Sequence, residues 1–375
     1  MTTTVHGASI VTPTGIIGGG WLSIVAGRIS EIGGGEPPST SLDLGGGWLV
    51  PGYLDIHCHG GAGADFGTSD ADSLNSAVQL HAGHGTSAML ASLVAHPLDG
   101  LCDQLALLAE LAEDPSSPVI GTHLEGPFLS RTRCGAQNPD FLIDPDVEAF
   151  GALLAAARGT LRMITIAPEL PGALEVVDAA VAAGVVVAVG HTDATYSQSI
   201  AAFDRGATVA THLFNGMRPL HHREPGPVLA SLDAGAACEV INDGVHVHPA
   251  VLRMVADRDA AQLILITDAI SATGVGDGEY ALGGQRVTVR DGQARLSELR
   301  SLAGSTLTMD RAVRRAVFDA GLPIEVAVAA ASTNPARVLG LAAELGAIEV
   351  GLRADLLHLD HELRPQRRMR DGQWQ

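Results

Sequence analysis

The chain has 375 residues, of which 46% are hydrophobic and 17% charged, and its 23 basic and 42 acidic residues leave a net charge of −19. Such dispersed negative charge disfavours a nucleic-acid or anionic-membrane partner, and no apolar run reaches the roughly 18 to 20 residues that a membrane helix needs. All 23 basic residues are arginine, which excludes a P-loop lysine, a Schiff-base lysine and a carbamylated-lysine metal bridge.

The opening "MTTTVHGASI" has no basic segment ahead of a long apolar one, so no secretory signal is expected. Residues 1–49 alternate short apolar pieces with turns, the pattern of a small β domain. From residue 50 to about 345 the pattern changes. Eight apolar, β-branched runs recur: "GWLVPGYLDIH", "GTSAMLASLV", "SPVIGTHLEG", "LRMITIAPE", "GVVVAVGHT", "GATVATHLF", "AACEVINDG" and "QLILITDAI". Alanine- and leucine-rich stretches such as 101–114 and 173–184 lie between them and read as crossover helices. Strands buried on both faces and alternating with helices predict an α/β fold, a (β/α)8 TIM-like barrel.

A stretch near 278–298 with a turn at Asp291-Gly292 reads as a β insertion that joins the small domain. "MDRAVRRAVFDAG" and "PIEVAVAAASTNPARVLG" read as two helices packed near the barrel. Residues 346–375, with a second turn at Asp371-Gly372, return to β character. The two chain ends are thus expected to build one β-sandwich domain. Cys58, Cys102, Cys134 and Cys238 lack CxxC spacing and fit reduced thiols in a cytoplasmic protein.

Barrel active sites form where strands deliver side chains to their C-terminal face. The first run ends in His57 and His59, which share one side of the strand because residues i and i+2 do. The third ends in Glu125, the fifth in His191, the sixth in His212 and the eighth in Asp268. One strand-end histidine is usually a hydrogen-bonded structural residue. Four imidazoles and two carboxylates from five strands form a ligand set suited to Zn²⁺ or a similar divalent ion. His81, His84, His96, His358 and His361 lack this placement and read as structural, His123 as support one layer deeper, and Cys58 as a residue of the barrel wall.

This pattern resembles the amidohydrolase superfamily. Within it, "HLEGPFL", "GHTDAT", "THLFNGMRPLHHREPG", "NDGVHV", "TDAISATG" and "LAGSTLTMD" look like the corresponding stretches of N-acetylglucosamine-6-phosphate deacetylases, so the resemblance spans nearly the whole chain. It implies a metal-dependent hydrolysis of the acetamide of N-acetylglucosamine 6-phosphate to glucosamine 6-phosphate and acetate. Glu125, His191 and His212 would hold one ion. His57 and His59 would add a second, with Glu125 bridging and Asp268 close by as general base and acid. Two ions per subunit are favoured, Zn²⁺ first, with Fe²⁺, Mn²⁺ and Co²⁺ also accepted by such ligands.

The same resemblance assigns substrate contacts to Ala136, Asn215, Gly216, Arg223, Asp243, His246, Leu302, Ala303 and Gly304. It also implies a homodimer with phosphate contacts across the interface. In "LEGPFLSRTRCGAQNPDF" the family commonly has a histidine where this chain has Gln137 and a basic residue where it has Cys134. Both are candidate loop contacts, with a plain surface-loop position the alternative for Cys134. Rival readings are a related barrel hydrolase acting on the galactosamine isomer or an N-acyl amino acid, and, from another class, a non-catalytic barrel used for binding.

Overall fold

The computed structural model describes residues 2–38, 40–67, 70–298 and 301–375. Eight parallel strands, Tyr53–Cys58, Thr86–Val94, Val119–Glu125, Leu161–Ile166, Val186–Val189, Val209–Ala210, Ala237–Ile241 and Leu263–Ile266, stand side by side in chain order. Nearly all their residues are buried, because helices cover the outside and packed side chains fill the inside. The seam between the eighth and first strands is closed by Asp268 N–H donating to the His57 carbonyl at 2.9 Å. Below it, the Asp55 carboxylate accepts from Thr267 Oγ1 at 2.6 Å.

The outer helices follow from local signals. Helix Leu98–Glu113 buries Leu101, Leu105 and Leu108, a stripe at i, i+4 and i+7. Helix Tyr196–Asp204 starts on a capping box between Thr195 and Gln198, immediately after the loop that carries His191. Among the described residues no helix is long and apolar enough to cross a membrane.

Both chain ends build the small domain, an eight-stranded mixed sheet in which Trp48–Pro51 lies between Thr2–Thr12 and Leu356–Leu359. The sheet folds on itself. Ala354 N–H donates to the Gly27 carbonyl at 2.7 Å and Gly372 N–H to the Ala354 carbonyl at 3.0 Å, so the turns at its two ends meet.

Three sequence expectations are corrected. The run "GWLVPGYLDIH" is two strands in different sheets, so the small domain reaches Pro51 rather than ending at residue 49. Proline has no N–H to continue a ladder, and Gly52 turns where a Cβ would lie 2.5 Å from Ser87 Oγ. The β insertion does not join the small domain. Gly278–Leu282, Gln285–Arg290 and Gln293–Leu296 form their own antiparallel sheet. Its alternating apolar side chains, Leu282, Val287, Val289, Ala294 and Leu296, pack on Val94, Ile270, Ala272 and Ala303 at the barrel rim. Finally, the stretch from Pro323 holds two helices, Ile324–Ala330 and Thr333–Val338, parted where the Ala331 carbonyl accepts from Leu54 N–H at 2.8 Å.

Candidate active site

All six predicted ligands meet at the C-terminal mouth of the barrel, and all but the fully buried His57 line a cavity of roughly 270 Å³. His191, His212 and Asp268 lie two residues past the last residue of their strands, with φ of 45°, 26° and 49°. Left-handed backbone at non-glycine residues carries strain, and surrounding structure must hold it. Asp268 is held by its N–H on His57 and by Ser305 N–H, which donates to the Asp268 carbonyl at 2.7 Å. Gly216 leaves room for His191: a Cβ there would come within 2.9 Å of the ring Nδ1.

Glu125 is the centre. Its Oε1 lies 2.8 Å from His212 Nε2 and 3.0 Å from His191 Nε2, and those two nitrogens are 3.1 Å apart. Its Oε2 lies 3.3 Å from His59 Nε2, and His59 Nε2 lies 3.1 Å from His57 Nε2. Asp268 Oδ1 completes the second group at 3.3 Å from His59 and 3.6 Å from His57. Two ligands about 2.0 to 2.1 Å from one tetrahedral ion lie roughly 3.3 Å apart, so both triads have ligand spacing and share Glu125.

The opposite face of each ring fixes its tautomer. His57 Nδ1 meets Glu239 Oε2 at 3.0 Å, His59 Nδ1 the Ser92 carbonyl at 3.2 Å, His191 Nδ1 the Arg133 carbonyl at 2.9 Å and His212 Nδ1 the Asn215 carbonyl at 3.2 Å. Every Nδ1 faces an acceptor, so each donates its N–H there and leaves Nε2 as a lone pair directed into the site. The donor set fits a divalent metal.

Burial by itself would raise the carboxyls and lower the imidazoles, but mutual attraction outweighs it. Glu125 is held well below the ordinary carboxylate range by His191 and His57, and Asp268 is lowered by His59 and His57. A proton competes with a metal for the same Nε2 lone pair, and the carboxylates favour either cation: His57 and His191 are raised, and His59 is raised to about 9 by Asp268 and Glu125. His123 goes the other way: burial, reinforced by the neighbouring His57, keeps it neutral. It bridges Ser92 Oγ at 3.0 Å and Thr165 Oγ1 at 2.9 Å, and Thr165 continues to Thr211 at 2.9 Å. These residues form a polar layer just beneath the ligands. Gly190 makes room for it, since a Cβ there would lie 2.5 Å from Thr211 Cβ and 2.8 Å from Thr165 Cγ2.

Of the expected substrate contacts, Ala136, Asn215, Gly216, His246, Leu302 and Gly304 line the cavity, and so does Gln137. Asp243 does not reach it; its Oδ2 holds His246 Nδ1 at 2.8 Å. Ala303 points away into the apolar contact beneath the insertion sheet. Cys134 also falls outside the lining, because its side chain packs toward Ala95, Leu129 and Leu142. Arg223 is exposed, lies outside the cavity lining, and makes its side-chain hydrogen bond to His222 at 2.9 Å. Sequence reasoning missed Glu239 and Asp55. Glu239 is the lone charged residue of an apolar strand, and Asp55 lies between apolar residues two positions before His57, placements that burial alone would disfavour.

The chain matches the amidohydrolase family over residues 48–373. It is 37% identical over 377 residues to an N-acetylgalactosamine-6-phosphate deacetylase of Escherichia coli O157:H7, covering 100% of this chain and 99% of the relative. With an N-acetylglucosamine-6-phosphate deacetylase of Bos taurus it shares 38% identity over 334 residues, 86% of this chain and 81% of the relative. Its fold superimposes with a TM-score of 0.96 and 44% identity on an aspartate-to-alanine variant of the N-acetyl-D-glucosamine-6-phosphate deacetylase of Mycobacterium smegmatis, solved in complex with N-acetyl-D-glucosamine-6-phosphate, over 100% of this chain and 99% of that one. With four histidines and two carboxylates gathered at the mouth of its barrel, the chain is a hydrolase that belongs to the amidohydrolase family, among relatives named amino-sugar 6-phosphate deacetylases.

Proposed function

We propose that the protein hydrolyses the acetamide of N-acetylglucosamine 6-phosphate to glucosamine 6-phosphate and acetate. The observation that carries this reading is the convergence of four Nε2 atoms, Glu125 and Asp268 on the floor of a cavity lined by Asn215, Gly216, His246, Leu302 and Gly304. Two divalent ions per subunit, Zn²⁺ first among Zn²⁺, Fe²⁺, Mn²⁺ and Co²⁺, would be held by Glu125, His191 and His212 and by His57, His59 and Glu125. When bound they supply water activation at neutral pH and polarisation of the acetyl carbonyl.

The chain's own groups do the rest. Asp268 takes the proton of the attacking water and returns it to the amine as the carbon–nitrogen bond breaks. Its carboxylate stands beside the site, with Oδ1 3.3 Å from His59 Nε2 and 3.6 Å from His57 Nε2. Asn215, His246 and the main chain at Leu302 to Gly304 hold the sugar, with Asp243 orienting His246. Arg223, exposed on one subunit, reaches the substrate phosphate of its partner in a homodimer, where its forked donors suit a phosphate. The absence of a membrane-crossing helix among the described residues and the unpaired cysteines support a cytoplasmic location.

The test is acetate release from N-acetylglucosamine 6-phosphate by protein stripped of metal and refilled with each ion. The galactosamine epimer is the comparison arm, since one relative carries that name. Equal or greater release from the epimer, or none from either sugar, would overturn the substrate assignment.

A further inference from the structure

Glu239 sits in the middle of the seventh barrel strand and is fully buried. Its Oε2 touches one residue of each triad from behind: it accepts from His57 Nδ1 at 3.0 Å and from the His212 backbone N–H at 3.2 Å. Its Oε1 is buried without a hydrogen-bond partner. Among the described residues no arginine pairs with Glu239, nor with Asp55, Glu125 or Asp268, and the chain has no lysine. Four buried carboxylates thus surround the site without a fixed cation. A buried charge is tolerated when opposite charge lies beside it, and divalent ions would supply that charge.

The four ligand imidazoles are not equivalent. His59, His191 and His212 direct Nδ1 at main-chain carbonyls, and His57 directs it at a carboxylate. A carboxylate behind an imidazole fixes its orientation and makes it a stronger donor to a metal. We infer that Glu239 is a positioning residue that makes His57 a ligand and thereby sets the affinity of the second, His57–His59 subsite. It keeps the proton on Nδ1, leaves the Nε2 lone pair facing His59, and braces the left-handed backbone of His212 with the same oxygen. The inference rests on the two-ion reading of the site given above.

The experiment compares wild type, Glu239→Gln and Glu239→Ala after metal stripping and refilling with Zn²⁺ or Co²⁺. Equivalents retained are measured by elemental analysis across a series of chelator concentrations, and thermal melts of the stripped proteins report folding. The glutamine variant is expected to bind the second equivalent about 10- to 100-fold more weakly, the range for loss of such a partner, with a smaller change in the first. The alanine variant is expected to lose the second equivalent altogether. If alanine fails to fold, the isosteric glutamine variant carries the test.

Wild-type affinity for the second equivalent in the glutamine variant overturns the inference, as does equal weakening of both equivalents or a wild type that binds only one. Acetate release is read separately on refilled wild type. Its absence defeats the functional reading whatever the metal counts, so the two failures are distinguishable.

Discussion

The side-chain amide of Gln137 donates to Glu125 Oε2 at 2.6 Å, while its carbonyl accepts from Ala95 N–H at 2.8 Å. The loop between Ser130 and Leu142 is thereby tied both to the carboxylate shared by the two triads and to the end of the second barrel strand. Gln137 stands where the family commonly has histidine, and here it fixes which Glu125 oxygen faces His59. Gln137→Ala is expected to lower kcat/KM by about 10- to 100-fold, the scale of a lost hydrogen bond to a buried charge. Steady-state kinetics on metal-saturated protein check this, and a change below threefold would leave Gln137 a loop residue only.

Asp268→Asn should keep the side-chain volume while removing the proton acceptor. Turnover is expected to fall by at least about 100-fold, with KM and the ion assigned to Glu125, His191 and His212 close to wild type, since Asp268 stands at the other group. Retention of near wild-type kcat would refute the general-base role.

Arg223→Ala is expected to raise KM for the phosphorylated sugar by about 10- to 100-fold, as loss of a charged hydrogen-bonding pair does, with a much smaller change in kcat. Because Arg223 is exposed on its own subunit, mixed dimers of Arg223→Ala and Asp268→Asn chains should contain one intact site and regain activity at low substrate. If mixing restores nothing, the contact across the interface is wrong.

The pair His84–Asp310, 3.1 Å apart at the C-terminal end of helix Ala71–Gly83, should make stability depend on pH. The hydrogen bond from His84 to Asp310 raises the imidazole above its ordinary value. Burial would lift Asp310, but His84 and Thr308 hold it below the ordinary carboxylate range. A raised imidazole stabilises fully below its unfolded value of about 6.5 and loses that contribution as pH rises through the folded value. The lowered carboxylate contributes above its unfolded value and loses that as pH falls. Melting curves should therefore show His84→Ala lowering Tm more at about pH 5.5 than at about pH 8.5, by the modest amount typical of half-exposed pairs. An equal loss at both values would exclude the ion pair as its cause.

Gly190→Ala adds a methyl group where Thr211 and Thr165 leave no space. Overpacking of this kind costs about 1 to 3 kcal/mol, and the shift should also disturb the polar layer beneath the ligands. Chemical denaturation measures the first effect. An unchanged midpoint would mean that the layer can move apart.

Much of this was legible because barrel geometry repeats a simple rule. Eight apolar runs alternating with helical stretches specify parallel strands, and parity along the first strand puts His57 and His59 on one side. The six candidate ligands could be read from strand ends without knowing any distance between them. Gln137 and Cys134 were both candidate loop contacts, and only one of them lines the cavity. Three residues apart on a tight loop, they face opposite ways, and local sequence carries no periodicity that tells them apart.

By itself the sequence determined the strand order, the candidate ligands at the strand ends and the absence of any lysine chemistry, since these depend on residue type and short-range periodicity. The tertiary structure decided which nitrogen of each imidazole faces the site, that Glu239 stands behind His57 across 182 residues of chain, and that Arg223 lies outside the cavity. The physical reason is that a tautomer and a buried charge are set by whatever partner the closed barrel brings within hydrogen-bond distance, and no local pattern encodes that partner.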